Sequence, residues 1–206
     1  MTPVPDRPFV LPVLSGRDNP DTELTVLRVY SATDPDSIVS HEVPELELDM
    51  GGVVGDRHYG ISRPSNGRQA RFYPRGTPIR NRRQLTFVSV EELADVARRM
   101  QLPEVRPEWL GANVLVEGYP ELSTMPIGTR LLMPDGGGLV CEGVNQPCRL
   151  PARVLQQQFP GSTAQRDFMR AAFGRRGIAA SVEHPEPVRP GARLGIALPE
   201  LHSTFD

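Results

Sequence analysis

The sequence predicts a mixed α/β fold that is mainly β, a β-barrel core with helices packed outside it. Three observations lead there. Short runs of alternating apolar and polar residues are separated by turn residues, with Pro 22 and Gly 19 in 206 residues. A few stretches of helical periodicity interrupt those runs. The length suits one domain with a sizeable core, and neither an internal repeat nor a second composition regime divides it.

Residues 1–21 are rich in Pro and Asp and are expected to form an arm, flexible or laid on the surface, ahead of a single domain over 22–206. Thr22 to Tyr30 alternates as a half-buried strand does, and Ile38 to Leu48 does so around Pro44. Gly51-Gly52 opens a loop of about thirty residues without clear periodicity, a length that marks function or disorder. Leu85 to Val90 reads as a strand feeding a helix. There Ser89 and Glu92 match a capping box, and Leu93, Val96, Ala97 and Met100 recur at helical spacing until Leu102-Pro103. Asn113 to Glu117, Thr129 to Met133 and Leu139 to Gly143 read as short strands. Leu150 to Phe159 and Ala164 to Phe173 read as helices split by Pro160-Gly161, and Gly177 to Glu183 and Arg193 to Leu198 as closing strands.

Composition narrows the chemistry. All 23 basic residues are arginine. Without a lysine amine there is no internal Schiff base with pyridoxal phosphate, and the P-loop signature is missing too. No apolar run approaches the ~20 residues of a membrane span, and Met1 to Arg17, with Asp6 and its prolines, does not read as a secretory signal. Two cysteines make no disulfide framework, which points to a reducing cytoplasmic setting. A formal charge of −2 gives no global pull toward nucleic acid. Locally the balance differs: Asp56 to Arg83 holds eight arginines and one acid, an anion trap in an otherwise acidic chain.

Cys148 is the candidate reactive group, in Asn145-Gln146-Pro147-Cys148-Arg149-Leu150-Pro151 at a strand–helix junction. A buried inert thiol is the bland alternative; a thiolate beside Arg149 would attack or ligate. Cys141 occupies a strand position and reads as core packing. The spacing of Cys141, Cys148, His58 and His184 is not that of a zinc finger, and a base for Cys148 could meet it only in the fold. Gly55-Asp56-Arg57-His58-Tyr59-Gly60 combines permissive ends with a donor-rich centre suited to phosphate. It could equally be a tight turn in which Asp56 pairs with Arg57. Arg68 and Arg75 read as solvated surface, because one cofactor uses few arginines. Asn113 follows a glycine and either satisfies a turn or offers its amide to a ligand at the barrel rim.

Taken in order, these segments resemble the MOSC domain family, named for the C-terminal domain of molybdenum-cofactor sulfurase. The matching pieces include Gly55-Asp56-Arg57-His58, Arg83 to Ser89, Leu110 to Gly118, Pro126 to Arg130, Pro147-Cys148, Arg176 to Val182 and Val188 to Gly191, within residues 22–198. The resemblance implies a β-barrel-cored fold, with Cys148 as the characteristic cysteine, a molybdenum ligand or sulfur handler. It also implies cofactor-phosphate binding by Arg57, Asn113 and loop arginines, with Arg83, His58 and Arg149 as further candidates. Ala112 stands where many relatives carry an acid, and the loop from Ile61 to Arg83 is unusually long. The pyridoxal-dependent domain of full sulfurases has no counterpart, so complete sulfurase activity is not expected. The preferred expectation is a molybdenum-cofactor oxidoreductase that reduces N-hydroxylated small molecules with electrons from a separate redox partner. A carrier holding a persulfide on Cys148 is the alternative. A phosphate- or RNA-binding module ranks last, since only Tyr59, Phe72 and Tyr73 offer stacking platforms in the arginine loop. If Arg57 and Cys148 serve one ligand, both must face one cavity.

Overall fold

The computed structural model describes residues 23–199, so the arm expected over residues 1–21 lies outside them. The elements run β1 (Glu23–Ser31), β2 (His41–Val43), β3 (Leu48–Asp49), β4 (Gly52–Val53), β5 (Ser62–Pro64), β6 (Pro78–Arg80), β7 (Leu85–Ser89) and α1 (Val90–Met100). They continue with β8 (Val114–Glu117), β9 (Arg130–Leu132), β10 (Gly138–Val144), α2 (Arg149–Gln158), α3 (Ala164–Ala171), β11 (Ile178–His184) and β12 (Arg193–Ala197). Seven strands close into a barrel in the order β1, β12, β9, β10, β11, β7, β8 and back to β1. Every neighbour is antiparallel except β7 with β8, which run parallel because α1 carries the chain back between them. The expected mainly β barrel with outer helices is the observed architecture.

Alternation sorts the side chains into two cores. Leu24, Val26 and Val29 of β1, Leu85 and Phe87 of β7, and Ile178, Ala180 and Val182 of β11 fill the barrel. Tyr30, Val88 and Leu115 face outward and pack against Leu93 and Val96 of α1, Leu155 of α2 and Phe168 of α3. Leu155 and Phe168 are fully buried, each contributing about 1.5–3 kcal/mol. A register shift between Val26 and Arg28 explains how β1 serves both cores. The extra residue flips the strand's parity, so Val29 stays inside while Arg28 turns outward.

Two local expectations change. Ser89 caps α1 through its hydroxyl, which accepts from the Glu92 amide at 3.2 Å. Glu92 does not complete the box: its carboxylate is buried and accepts from the Ser123 amide and hydroxyl (2.7 and 2.8 Å) and the Gly177 amide (2.9 Å). The long loop after Gly52 contains a hairpin, with β5 paired to β6 from Ser62↔Arg80 to Pro64↔Pro78. Short strands this rich in proline and charge show no apolar alternation, so only their pairing reveals them.

A cationic cavity with a free thiol

Asp56 organises one wall. Gly55 takes a left-handed φ of +78°, turning the chain so that Asp56 points into the protein. The Asp56 carboxylate accepts from the Ala32 amide (2.9 Å), the His58 amide (2.8 Å) and the Asn113 side-chain amide (3.0 Å), and pairs with His58 Nδ1 at 3.1 Å. Burial acts to raise this carboxyl, but the hydrogen bonds from His58 and Ala32 outweigh it and hold the group below its ordinary range. The tight-turn pairing expected of Asp56 is therefore with His58, not with Arg57. Arg57 is held by its amide, which donates to the Ala32 carbonyl at 2.7 Å, and by Nη1, which donates to the Ser37 carbonyl. Asn81, a polar residue that its sequence does not single out, donates to the carbonyls of His58 (2.7 Å) and Gly60 (3.0 Å) and accepts from the Arg83 amide at 3.1 Å. It fastens the 57–60 loop to the segment that carries Arg83.

The opposite wall begins where β10 ends. Asn145 is buried, and its amide donates to the Gly177 carbonyl at 2.8 Å. Cys148 is the N-cap of α2, in extended backbone (φ −141°, ψ 173°), and its side chain caps nothing. The thiol is partly exposed and unbridged. Cys141 lies inside the barrel on β10, its Sγ 3.7 Å from the Met125 carbonyl, and burial pushes its thiol up, so it packs as the sequence suggests.

Between the walls lies a cavity of about 760 Å³, within the range of sites that enclose small molecules. Arg57, His58, Arg83 and Cys148 all line it, although Arg57 and Cys148 are far apart in sequence. Arg63, Arg68 and Arg176 line it as well, and among the described residues no Asp or Glu does. None of these five arginines has a carboxylate within ion-pairing distance among the described residues. Arginines elsewhere are commonly paired, as Arg28 is with Glu42, Arg130 with Glu183 and Arg99 with Asp95. Burial, reinforced by Arg68 and other neighbouring guanidinium groups, pushes Arg83 down to about 10; burial, followed by the opposing pull of Cys148, sets Arg176 at about 10.

Three expectations need correction. Asn113 is 1% exposed and does not line the cavity. Its Oδ1 accepts from the Thr86 amide at 3.0 Å, and its Nδ2 donates to Tyr30 and Asp56, so no part of the amide is left for a ligand. Arg149 is exposed on the first turn of α2 and does not line the cavity, because the helix directs it to the outer surface. Arg68 lines the cavity instead of being remote surface, because the hairpin folds back over the opening; Arg75 does not line it.

The profile of the MOSC domain family matches residues 57–194. YuaD of Bacillus subtilis, whose name links it to metal–sulfur cluster biosynthesis, is 41% identical over 171 residues, covering 82% of this chain and 86% of YuaD. The chain belongs to the MOSC domain family. A crystal structure of Bacillus subtilis YuaD superposes with a TM-score of 0.83 at 37% identity, over 86% of this chain and 97% of that one. YiiM from Geobacillus stearothermophilus (TM-score 0.57, 14% identity, 84% of this chain and 75% of that one) shares the fold. YiiM from Escherichia coli does too, with a TM-score of 0.54 at 18% identity over 85% and 70% of the two chains. MOSC domains are associated with molybdenum-cofactor binding, and this one carries its free thiol in the cationic cavity. In the structure β1, ahead of the matched residues, closes the MOSC barrel against β12 and β8.

The residues of the cavity fit such a group. No set of three or more His, Cys, Asp or Glu side chains poised for a metal ion occurs among the described residues. A bare ion would therefore lack ligands. A pterin dithiolene cofactor brings sulfur ligands of its own and asks the protein for one soft donor and for cations, which Cys148 and the unpaired guanidinium groups offer.

Proposed function

We propose that the cavity binds a molybdopterin-type cofactor and that the protein is an oxidoreductase acting on N-hydroxylated small molecules. One observation carries this reading: a free, partly exposed cysteine shares an acid-free cavity with five arginines that have no carboxylate partner among the described residues. When bound, the cofactor supplies a two-electron redox centre at molybdenum. Cys148 provides a thiolate donor suited to that soft centre. Arg57 and Arg83 hold the anionic tail, Arg57 from a loop fixed by Asp56 and Arg83 from a segment fixed by Asn81. Ile38, Leu110, Leu150 and Pro151 supply apolar wall that limits water around the reacting groups. The chain has two cysteines, too few for a four-thiolate iron–sulfur cluster of its own, so electrons arrive from a separate redox partner.

The name of YuaD favours a second reading, in which Cys148 carries a persulfide and the protein delivers sulfur or cofactor. One experiment separates the two. Protein purified from a host that makes the cofactor should hold near-stoichiometric molybdenum and release a fluorescent pterin on acid oxidation. Iron or zinc in its place sinks the oxidoreductase reading, and metal-free protein with a labile, cyanide-reactive sulfur establishes the carrier.

A further inference from the structure

We propose that Arg176, acting with Arg68 and Arg63, forms a second anion subsite beside Cys148 that anchors a carboxylate or oxyanion on the small-molecule substrate. The role of substrate anchor rests on the cofactor reading above; the binding of an anion does not. Arg176 is the deepest cation of the cavity, 7% exposed. Its Nη1 donates to the Gln146 carbonyl at 3.3 Å and its Nη2 to the Leu110 carbonyl at 2.9 Å, while Nε has no partner among the described residues. Arg63 Nε is likewise buried and unpartnered. Arg83 reaches the same segment from the other side, its Nη2 donating to Asn145 Oδ1. Two guanidinium groups thus clasp residues 145–146, separated from Cys148 by Pro147.

Charge decides what these groups are for. Burying an unpaired guanidinium is costly, and chains keep one where an anion neutralises it. Five guanidinium groups line the cavity with no carboxylate among them. A Cys148 thiolate together with one cofactor phosphate would bring roughly three negative charges, leaving a surplus of about two. That surplus matches one more small anion. The guanidinium fork takes a carboxylate or an oxyanion in bidentate fashion, and the free Nε of Arg176 offers one prong of such a fork. The substrate class that fits is therefore an N-hydroxylated compound bearing a carboxylate, sulfonate or phosphate.

The test measures inorganic phosphate binding by calorimetry, with molybdenum content read in parallel. Metal-loaded wild-type protein should bind phosphate. Arg176→Gln should weaken that binding at least tenfold while retaining molybdenum. Arg68→Gln, an exposed change that leaves the core untouched, should weaken it about threefold, and Arg75→Gln, outside the cavity, should leave it unchanged. Loss of molybdenum from folded Arg176→Gln would assign the residue to the cofactor's own phosphate and overturn the proposal. Wild-type affinity in folded Arg176→Gln, or in Arg68→Gln should Arg176→Gln fail to fold, overturns it too. If the wild-type protein takes up no molybdenum, the oxidoreductase reading fails by itself, and the same phosphate titrations on metal-free protein still decide whether Arg176 binds an anion.

Discussion

At the scale of single residues, the two cysteines divide by surroundings. Cys148 caps α2 without using its side chain, so Cys148→Ser supplies a hydroxyl where helices prefer one. Stability in a urea titration should stay level or rise by up to about 1 kcal/mol, while molybdenum retention is lost. Cys141→Ser places a hydroxyl inside the barrel core and should cost about 1–3 kcal/mol with metal content retained. Dispensable Cys148 with essential Cys141 would count against the assignment. Asn113 acts one step back from the cavity. Asn113→Ala leaves the Thr86 amide unpaired and takes a donor from Asp56, so a loss of about 1–3 kcal/mol is expected in chemical denaturation. Arg57→Lys keeps the charge but forfeits the planar fork, and cofactor affinity should fall while Arg75→Lys leaves it intact.

At the scale of elements, the turn into β11 joins the site to the barrel. Gly177 has φ +70°, and a Cβ there would lie 1.7 Å from the Phe87 carbonyl oxygen on β7. Gly177→Ala should therefore cost about 3 kcal/mol or more and disturb Arg176 beside it, checked by thermal unfolding and phosphate affinity together. Glu92 on α1 holds the same turn through the Gly177 amide and through Ser123. Burial raises its carboxyl above the ordinary 4.5, against the opposing hydrogen bonds from Ser123 and Gly177. The folded state then holds this proton more tightly than the unfolded chain does. The contribution is complete below the unfolded value and is lost as pH rises through the folded one. Glu92→Gln should remove that downward slope of stability above pH 4.5. It should also cost about 1–3 kcal/mol, because its NH₂ faces a backbone donor. An unchanged slope would show that Glu92 titrates normally.

At the scale of the whole molecule, stability is unevenly spread. β7 and β11 are buried along most of their length, whereas of β5, β6 and the residues between them only Ser65 is buried. Hydrogen exchange should protect the amides of β7, β8 and β11 most and release those of residues 62–80 first. An anion that bridges Arg63 and Arg68 to Arg176 should slow the local exchange of that hairpin, besides the slowing of core amides that exchange by global unfolding. Phosphate at about 100 times its Kd should stabilise the protein by about 2.7 kcal/mol if it binds only the folded chain. Equal exchange rates with and without phosphate would place the hairpin outside the binding event.

Local periodicity made most of the barrel legible, since strands such as Leu85 to Ser89 and helices such as Ala164 to Ala171 carry their own apolar faces and turn signals. The order of Gly55 to His58, Pro147-Cys148 and Arg176 to Val182 was enough for the family, because each piece is contiguous. What stayed hidden was pairing at a distance. The β5–β6 hairpin lacks alternation, and only its closure over the cavity separates Arg68 from Arg75. Whether Asn113 serves a turn or a ligand is decided by Asp56, Tyr30 and Thr86, remote in sequence, which claim its amide. Adjacency to Cys148 points to Arg149 and not to Arg176, yet a helix turns the first outward and a glycine turn brings the second inward. Sequence determines which groups are available and which faces are apolar; which groups share one buried volume depends on barrel closure and long-range hydrogen bonds, and only the folded chain decides that.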